Sequence, residues 1–385
     1  MTAVAVLLLV LAAASVVDAR RAPKGEHVTA AYTFDQYVAD FGKQYAAGSA
    51  EYHRREALFT KSRDEVVAFN KHAQRSYTKG INHMADWSAE EIKALRGARP
   101  TPEYKPKHQV AYQASPKGPA AVAADVDWRK AFPPVLTTVK DQGMCGDCWS
   151  HAVTEAIESA YAQATGDLYV LSQQQLTSCV PAVQTCGGCD GFFPQYAYDF
   201  LIAKGQNASI GLVEEWYYSF TSWFGASGVC NTSKTKPDQS QITTAVEITD
   251  FTQVANNQTA VMEALNTLGP LSILVDAQGW TSYESGIFTD CAAYDFNFGL
   301  DHAVMLVGYG SDAATDQDYW IVRNSWSAGW GEHGYIRIAK NNAPQCGSTW
   351  SISCTNQSHT ATACGPCGLL TDAQYPTVDI KRRQL

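Results

Sequence analysis

Residues 141–152 read DQGMCGDCWSHA, and the cysteines at 145 and 148 admit three readings. They can be a redox pair, half of a zinc site, or one structural cysteine beside one catalytic cysteine. Downstream, Trp149, Ala152, Val153, Ala156, Ile157, Ala160 and Tyr161 recur at spacings of three and four. That pattern predicts a helix over 148–164 with one apolar face, closed by Thr165-Gly166. Cys148 would then open the helix, where unpaired N–H groups and the macrodipole favour a thiolate, so its pKa is expected below the usual ~8.5. Asp147 is suited to cap such a helix, although its charge opposes a neighbouring thiolate.

The wider composition limits the choice. With 385 residues, 45% of them hydrophobic, the chain can build one large core or two smaller ones. An apolar run from Val4 to Val17, followed by Asp18-Ala19, reads as a signal peptide over 1–19. No later segment approaches ~20 apolar residues, so no membrane span is expected in the mature form. Eleven cysteines point to an oxidising compartment, and the odd count leaves at least one unpaired. Sequons at Asn207, Asn231, Asn257 and Asn356 agree with a secretory route and mark candidate glycosylation sites. From 20 to 124 there are 17 Lys/Arg against 11 Asp/Glu, and from 125 to 385 there are 12 against 26. A basic segment thus precedes an acidic body that it can attract, and nothing resembles a nucleic-acid footprint.

Residues 34–95 are rich in helix formers and lack proline, whereas 97–119 collect proline and glycine and read as an extended connector. The last third holds strand-like runs at 271–277, 302–310, 318–326 and 334–339. Helices followed by strands predict an α+β fold with two lobes.

Three C-x-x-C pairs occur: 145/148, 186/189 and 364/367. Only 18 residues follow Cys367, too few to complete a thioredoxin-type fold around CGPC. Zinc would need two pairs to converge, and disulfides are the commoner use in an oxidising compartment. The catalytic reading requires a histidine, a group to orient it and oxyanion donors. Asp301-His302-Ala303 opens one strand, Asn324-Ser325-Trp326 ends another, and Gln142 lies six residues before Cys148.

On these residues the chain resembles the papain-like cysteine proteases. QGMCGDCW is similar to their Q-G-x-C-G-S-C-W, and the histidine and asparagine blocks follow in the family's order. The resemblance implies a papain-like fold: a helical lobe, an antiparallel β-barrel-like lobe and an N-terminal helical propeptide. It implies that Cys148 is the nucleophile, His302 the acid/base and Asn324 its orienting partner. Gln142 and the backbone N–H of Cys148 would form the oxyanion hole, with Trp326 shielding the His302–Asn324 bond. It pairs Cys145 with Cys189, Cys179 with Cys230 and Cys291 with Cys367, leaving Cys186, Cys346, Cys354 and Cys364 open. Substrate would lie along Gly191 and Asp301, with a pocket of Phe193, Pro194, Leu274, Leu300 and Ala303 over an Asp372 floor that could pair with arginine.

Glu51, Arg55, Phe59, Val66 and Asn70 are similar to the ERFNIN helix of cathepsin L-like propeptides, and Gly80, Asn82, Met84 and Asp86 to their second motif. This implies an inhibitory propeptide over 20–124, running backwards through the cleft of a peptidase domain over 125–385. Asp147, His151 and Phe192 depart from the usual Ser, Phe and Gly and put rate and cleft geometry in question; His151 is read as a packed side chain. The stretch 342–363 reads as an added, disulfide-stapled loop. The expected activity is endopeptidase cleavage of proteins and peptides by a monomer without cofactor or metal, lysosomal, vacuolar or secreted. Alternatives are a catalytically weak homologue that binds proteins and a zinc- or disulfide-stabilised module.

Overall fold

The computed structural model describes residues 23–99, 104–112, 122–208, 211–235, 244–291, 299–341, 346–355 and 358–380. The predicted leader and Asn356 lie outside them.

The first segment has a core of its own. Helices α1 (Phe34–Asp40) and α2 (Ala50–Asn70) start at Thr33 and Ser49, whose side chains accept the first free backbone amides. Arg55, Phe59, Val66 and Asn70, one stripe of α2, are its buried residues. Phe59 stacks on Tyr37 beneath Phe34, and Val28, Tyr32, Ile81 and Ala85 complete the cluster. Arg55 grips both oxygens of Glu91 at 2.8 and 2.6 Å, tying α2 to α3 (Ala89–Leu95). Buried Asp86 accepts from Tyr37, Lys43 and Tyr45. Between these helices lies β1 (Tyr77–Lys79), and β2 (Gln109–Ala111) follows.

The body opens with β3 (Val126–Asp127) and the helices α4 (Cys148–Thr165), α5 (Gln173–Cys179) and α6 (Pro194–Ala208). A short ladder of β4 (Leu212–Val213) and β5 (Ala245–Val246) leads to β6 (Ile248–Gln253), α7 (Gln258–Thr267), β7 (Leu271–Val275) and β8 (Tyr283–Phe288). Then come β9 (His302–Asp312), β10 (Gln317–Arg323), β11 (Tyr335–Ala339), the hairpin β12 (Cys346–Ile352) and β13 (Ser358–Cys364), and β14 (Gln374–Val378). The main sheet runs β1-β8-β11-β10-β9-β7-β14-β6-β2, with β3 on β9. Both of its end strands therefore come from the first segment.

Helix α4 is the axis of the body, and it departs from the expected single apolar face. Nearly every residue from Cys148 to Ala162 is buried, including Ser150, His151, Glu155 and Glu158, because the helix is packed on several sides by β9, β14, α5 and α6. Its charges find partners: Glu155 meets Arg323 at 3.0 Å and Glu158 meets Lys140 at 2.9 Å. Gly166 ends it at φ 83°, as a left-handed C-terminal residue requires.

Five disulfides pair every cysteine except Cys148. Cys145 joins Cys189, Cys179 joins Cys230 and Cys291 joins Cys367. Cys148 stays free and the other five cysteines of the three C-x-x-C pairs each bond outside their own pair, so none is a redox pair. The added stretch is only partly the local staple expected of it. Cys346–Cys364 closes the base of the β12–β13 hairpin, but Cys354 reaches back 168 residues to Cys186.

Candidate active site

Cys148 opens α4, His302 opens β9 and Asn324 directly follows β10, so the fold brings together residues up to 176 positions apart. The oxygen of the Asn324 amide is identified by the Ser325 N–H, which donates to it at 2.8 Å. His302 Nε2, 2.8 Å from the same oxygen, must therefore be the donor, and Nδ1 is left as the basic nitrogen. That Nδ1 is buried and has no hydrogen-bond partner among the described residues. Trp326 stacks on the imidazole, with ring centres 4.9 Å apart, and Trp280 stands edge-on behind it.

Gln142 is equally fixed. Its Oε1 accepts from the Ser325 hydroxyl at 2.7 Å, so its Nε2 faces the cleft, donating to the carbonyls of Cys145 at 2.7 Å and Leu95 at 2.9 Å. Ser325 thus orients both the histidine's partner and the amide donor. Sequence reasoning missed this role, although Ser325 lies inside the quoted Asn-Ser-Trp block.

The cleft is filled by residues 95–99. Phe192 N–H donates to the Gly97 carbonyl at 2.8 Å, Arg99 N–H to the Phe192 carbonyl at 3.0 Å, and Ala98 N–H to the Asp301 carbonyl at 2.9 Å. Ala98 pairs with Phe192 in parallel. The Ala98 methyl joins the cluster of Phe193, Leu274, Leu300 and Ala303, beside buried Pro194. Gly191, at φ 90°, lets the strand in: a Cβ there would stand 2.5 Å from the Gly97 carbonyl oxygen. Phe192, whose bulk put the cleft in question, turns its ring into the core and offers its backbone to the strand. Asp372 is half-buried at φ 54° and accepts weakly from Gln195 Nε2 at 3.4 Å. Burial pushes its pKa up to about 6.

Two expectations, on the Cys148 thiol and on Asp147 as its helix cap, are corrected with the propeptide in place. The Cys148 thiol is not acidified here: burial raises the pKa to about 12, outweighing amide contacts from Ala303, at 3.4 Å from the sulfur, and Gly97. His302 is lowered to about 3, chiefly by the same burial. Both groups are neutral, because the segment that fills the cleft has removed the water that would solvate their charges. Asp147 occupies the N-cap position without capping; its carboxylate accepts from Thr177 Oγ1 at 2.7 Å and faces His151.

A cysteine thiol at a helix start, an imidazole oriented by an asparagine and a strand through the cleft meet in one site. Its sequence matches the family described as papain family cysteine protease over residues 122–355, and the cathepsin propeptide inhibitor domain over 34–92. The chain belongs to the papain family of cysteine proteases. It is a zymogen, a peptide hydrolase that carries its own inhibitor domain. Ananain of Ananas comosus is 30% identical over 348 residues, 90% of this chain and 87% of its own. The solved recombinant stem bromelain precursor is 30% identical at TM-score 0.69, covering 89% of this chain and 97% of its own. Digestive procathepsin L 3 of Tenebrio molitor larval midgut is 28% identical at TM-score 0.68, with the same coverages.

In this papain-family zymogen the inhibitor domain holds the enzyme at several places. Tyr77–Lys79 pairs with β8, Asn82 donates to the Thr281 carbonyl at 2.7 Å, and Met84 and Leu95 are buried in the sheet-lobe core. Arg96 pairs with Asp301 at 2.7 Å. Beyond the cleft, Asp199 on α6 gathers the Tyr104 hydroxyl, the N–H groups of Lys107 and His108 at 2.9 and 3.1 Å, and the His108 ring at 3.0 Å. Gln109–Ala111 then pairs in parallel with β6. These contacts of Tyr104 and Asp199 had no signal in the sequence.

Proposed function

We propose that Cys148 is the nucleophile, that His302 moves the proton, that Asn324 orients His302, and that Gln142 Nε2 with the Cys148 backbone N–H stabilises the oxyanion. The hydrogen-bonded chain Gln142–Ser325–Asn324–His302 supports this reading. Once residues 95–99 leave, water returns and a proton passes from the Cys148 thiol to His302 Nδ1. The thiolate attacks the scissile carbonyl carbon, and the oxyanion forms against its two donors. His302 gives its proton to the leaving amine as the carbon–nitrogen bond breaks, leaving a thioester. Water attacks the thioester with His302 as base, releasing the acid and restoring the thiol.

Gly191, Asp301 and the backbone of Phe192 would hold the substrate strand, and Phe193, Pro194, Leu274, Leu300, Ala303 and Trp326 would line its pockets, with Asp372 beneath. The division into leader 1–19, propeptide 20–124 and peptidase 125–385 belongs to the same reading. So do monomeric state, secretory routing to a lysosome, vacuole or the exterior, and glycans at the sequons. Asn231 and Asn257 are exposed, as attachment requires, and Asn207 falls in the last turn of α6.

The test is turnover of a fluorogenic Phe-Arg peptide by acid-processed protein under reducing conditions, beside Cys148→Ser. Turnover lost in the variant supports the assignment. A folded, mature protein that neither turns over nor takes a thiol-directed epoxide label would overturn it in favour of a binding protein.

A further inference from the structure

The departures at 147 and 151 are partners. His151 Nδ1 lies 3.4 Å from Asp147 Oδ1 and 3.3 Å from the Asp147 carbonyl oxygen. Both neighbours accept, so Nδ1 carries a proton and the charge of the ring is decided at Nε2. Asp147 is fully buried and His151 is 2% exposed, with the Phe220 ring edge-on to the imidazole at 5.4 Å. An acid and a base have thus been placed together, one turn apart, in the first turn of the helix that carries Cys148.

The charges around His151 come from several elements. Asp147 and Glu155 flank it on α4; Glu155 is held by Arg323 of β10, while Glu158 further along is held by Lys140. From β9 comes His302, whose protonation the His151 charge opposes. Burial opposes an imidazolium at 151, yet the Asp147 carboxylate followed by Glu155 holds its pKa above the ordinary value. Asp147, for its part, disfavours a negative sulfur at Cys148.

We propose that His151 is a positioning residue for the peptidase reaction: as an imidazolium it cancels the Asp147 charge beside Cys148, and its deprotonation closes the alkaline side of the activity range. This rests on the reading of Cys148 as nucleophile. While both members of the dyad are ionised they present no net charge to the thiolate. When His151 loses its proton, one uncompensated negative charge remains beside the sulfur, and the thiolate is penalised. Activity then falls with rising pH through two proton losses, from His151 and from His302, where a solitary pair would show one.

The measurement is kcat/KM of acid-processed enzyme on a fluorogenic Phe-Arg peptide across pH, with active sites counted by a thiol-directed epoxide. Wild type should lose activity on the alkaline side with a two-proton slope, because turnover needs the thiolate together with the His302 proton. His151→Phe and His151→Asn, which both leave Asp147 uncompensated, should be slowed about tenfold or more at mildly acid pH, equivalent to about one unit of thiol pKa, and keep a one-proton slope. Asp147→Ser with His151→Phe, which removes both charges, should recover most of the rate with the one-proton slope. The proposal is overturned if His151→Asn keeps the wild-type profile, or if the double variant is as slow as His151→Phe, since packing alone would then be responsible. A Cys148→Ser control that turns over as wild type does would instead overturn the nucleophile assignment, and the dyad's role with it.

Discussion

Gln142 and Leu95 are joined across the cleft: the Gln142 side-chain amide donates to the Leu95 carbonyl at 2.9 Å. The inhibitor segment thus occupies one of the two donors proposed to stabilise the oxyanion, while the Gly97 amide faces the sulfur. What meets Cys148 is an N–H and not an electrophilic carbon, which accounts for a peptide lying in a protease site uncut.

That approach depends on Gly97. A Cβ there would lie 1.8 Å from the Gly146 carbonyl oxygen, a backbone atom that cannot swing aside. Gly97→Ala should weaken inhibition at least about tenfold, some 1.4 kcal/mol. The check is the inhibition constant of the isolated variant propeptide, or the onset of processing as the zymogen is acidified. Unchanged inhibition would show that the strand can rise off Gly146 at no cost.

The neutral state of the Cys148–His302 pair makes a prediction about pH. With the thiol raised to about 12 and the imidazole lowered to about 3, neither titrates between pH 4 and 9 in the zymogen. Iodoacetamide should therefore alkylate the zymogen slowly, with no titration step in that window. Removing the propeptide should raise the rate and bring a thiolate step into the acid range. A zymogen alkylated as fast as mature enzyme would contradict this.

Asp199 should act as a latch for the strap at 104–112. Asp199→Ala removes an acceptor from four donors, at a cost of roughly 1.5–3 kcal/mol for a charged acceptor. The expected result is faster proteolysis of the strap with little change in the melting of the peptidase body. Equal cleavage in both proteins would mean that the pairing of β2 with β6 holds the strap alone.

If Asp372 forms the floor of the proposed pocket, selectivity should depend on pH. Its pKa is raised by burial to about 6, so the carboxyl is neutral below that value and charged above it. Preference for arginine over leucine two residues before the scissile bond should rise between pH 5 and 7 and be flat in Asp372→Ala. A parallel rise in both enzymes would exclude Asp372 as the cause.

Much of this site was legible in local sequence. The periodicity after Cys148 places α4 closely, and β9 and β10 fall where their apolar runs lie. What escaped is what burial decides. The helix start favours a thiolate, but the desolvation imposed by residues 95–99 is larger, and no local pattern around Cys148 shows which segment will lie on it. Asp147 fits an N-cap by residue type, yet Thr177, on a helix that only the fold brings near, and His151, one turn along α4, claim its oxygens. The Cys186–Cys354 bond was one of three pairings that four leftover cysteines allow.

That bond changes what a broken backbone would mean. Cys186 and Cys354 enclose most of the body, and Cys145–Cys189 connects the same loop to the segment ending in the nucleophile. A single nick anywhere between 187 and 353 leaves two fragments covalently fastened, so a clipped enzyme migrates as one species until it is reduced. Both sulfurs of the fastening are buried, at 2% and 1% exposure. Reductant sufficient to keep Cys148 a free thiol should therefore leave it intact, with a harsher dose needed before the halves part. A nicked preparation titrated with reductant should then gain activity first and lose it later, like a machine whose lubricant, in excess, dissolves its own rivets.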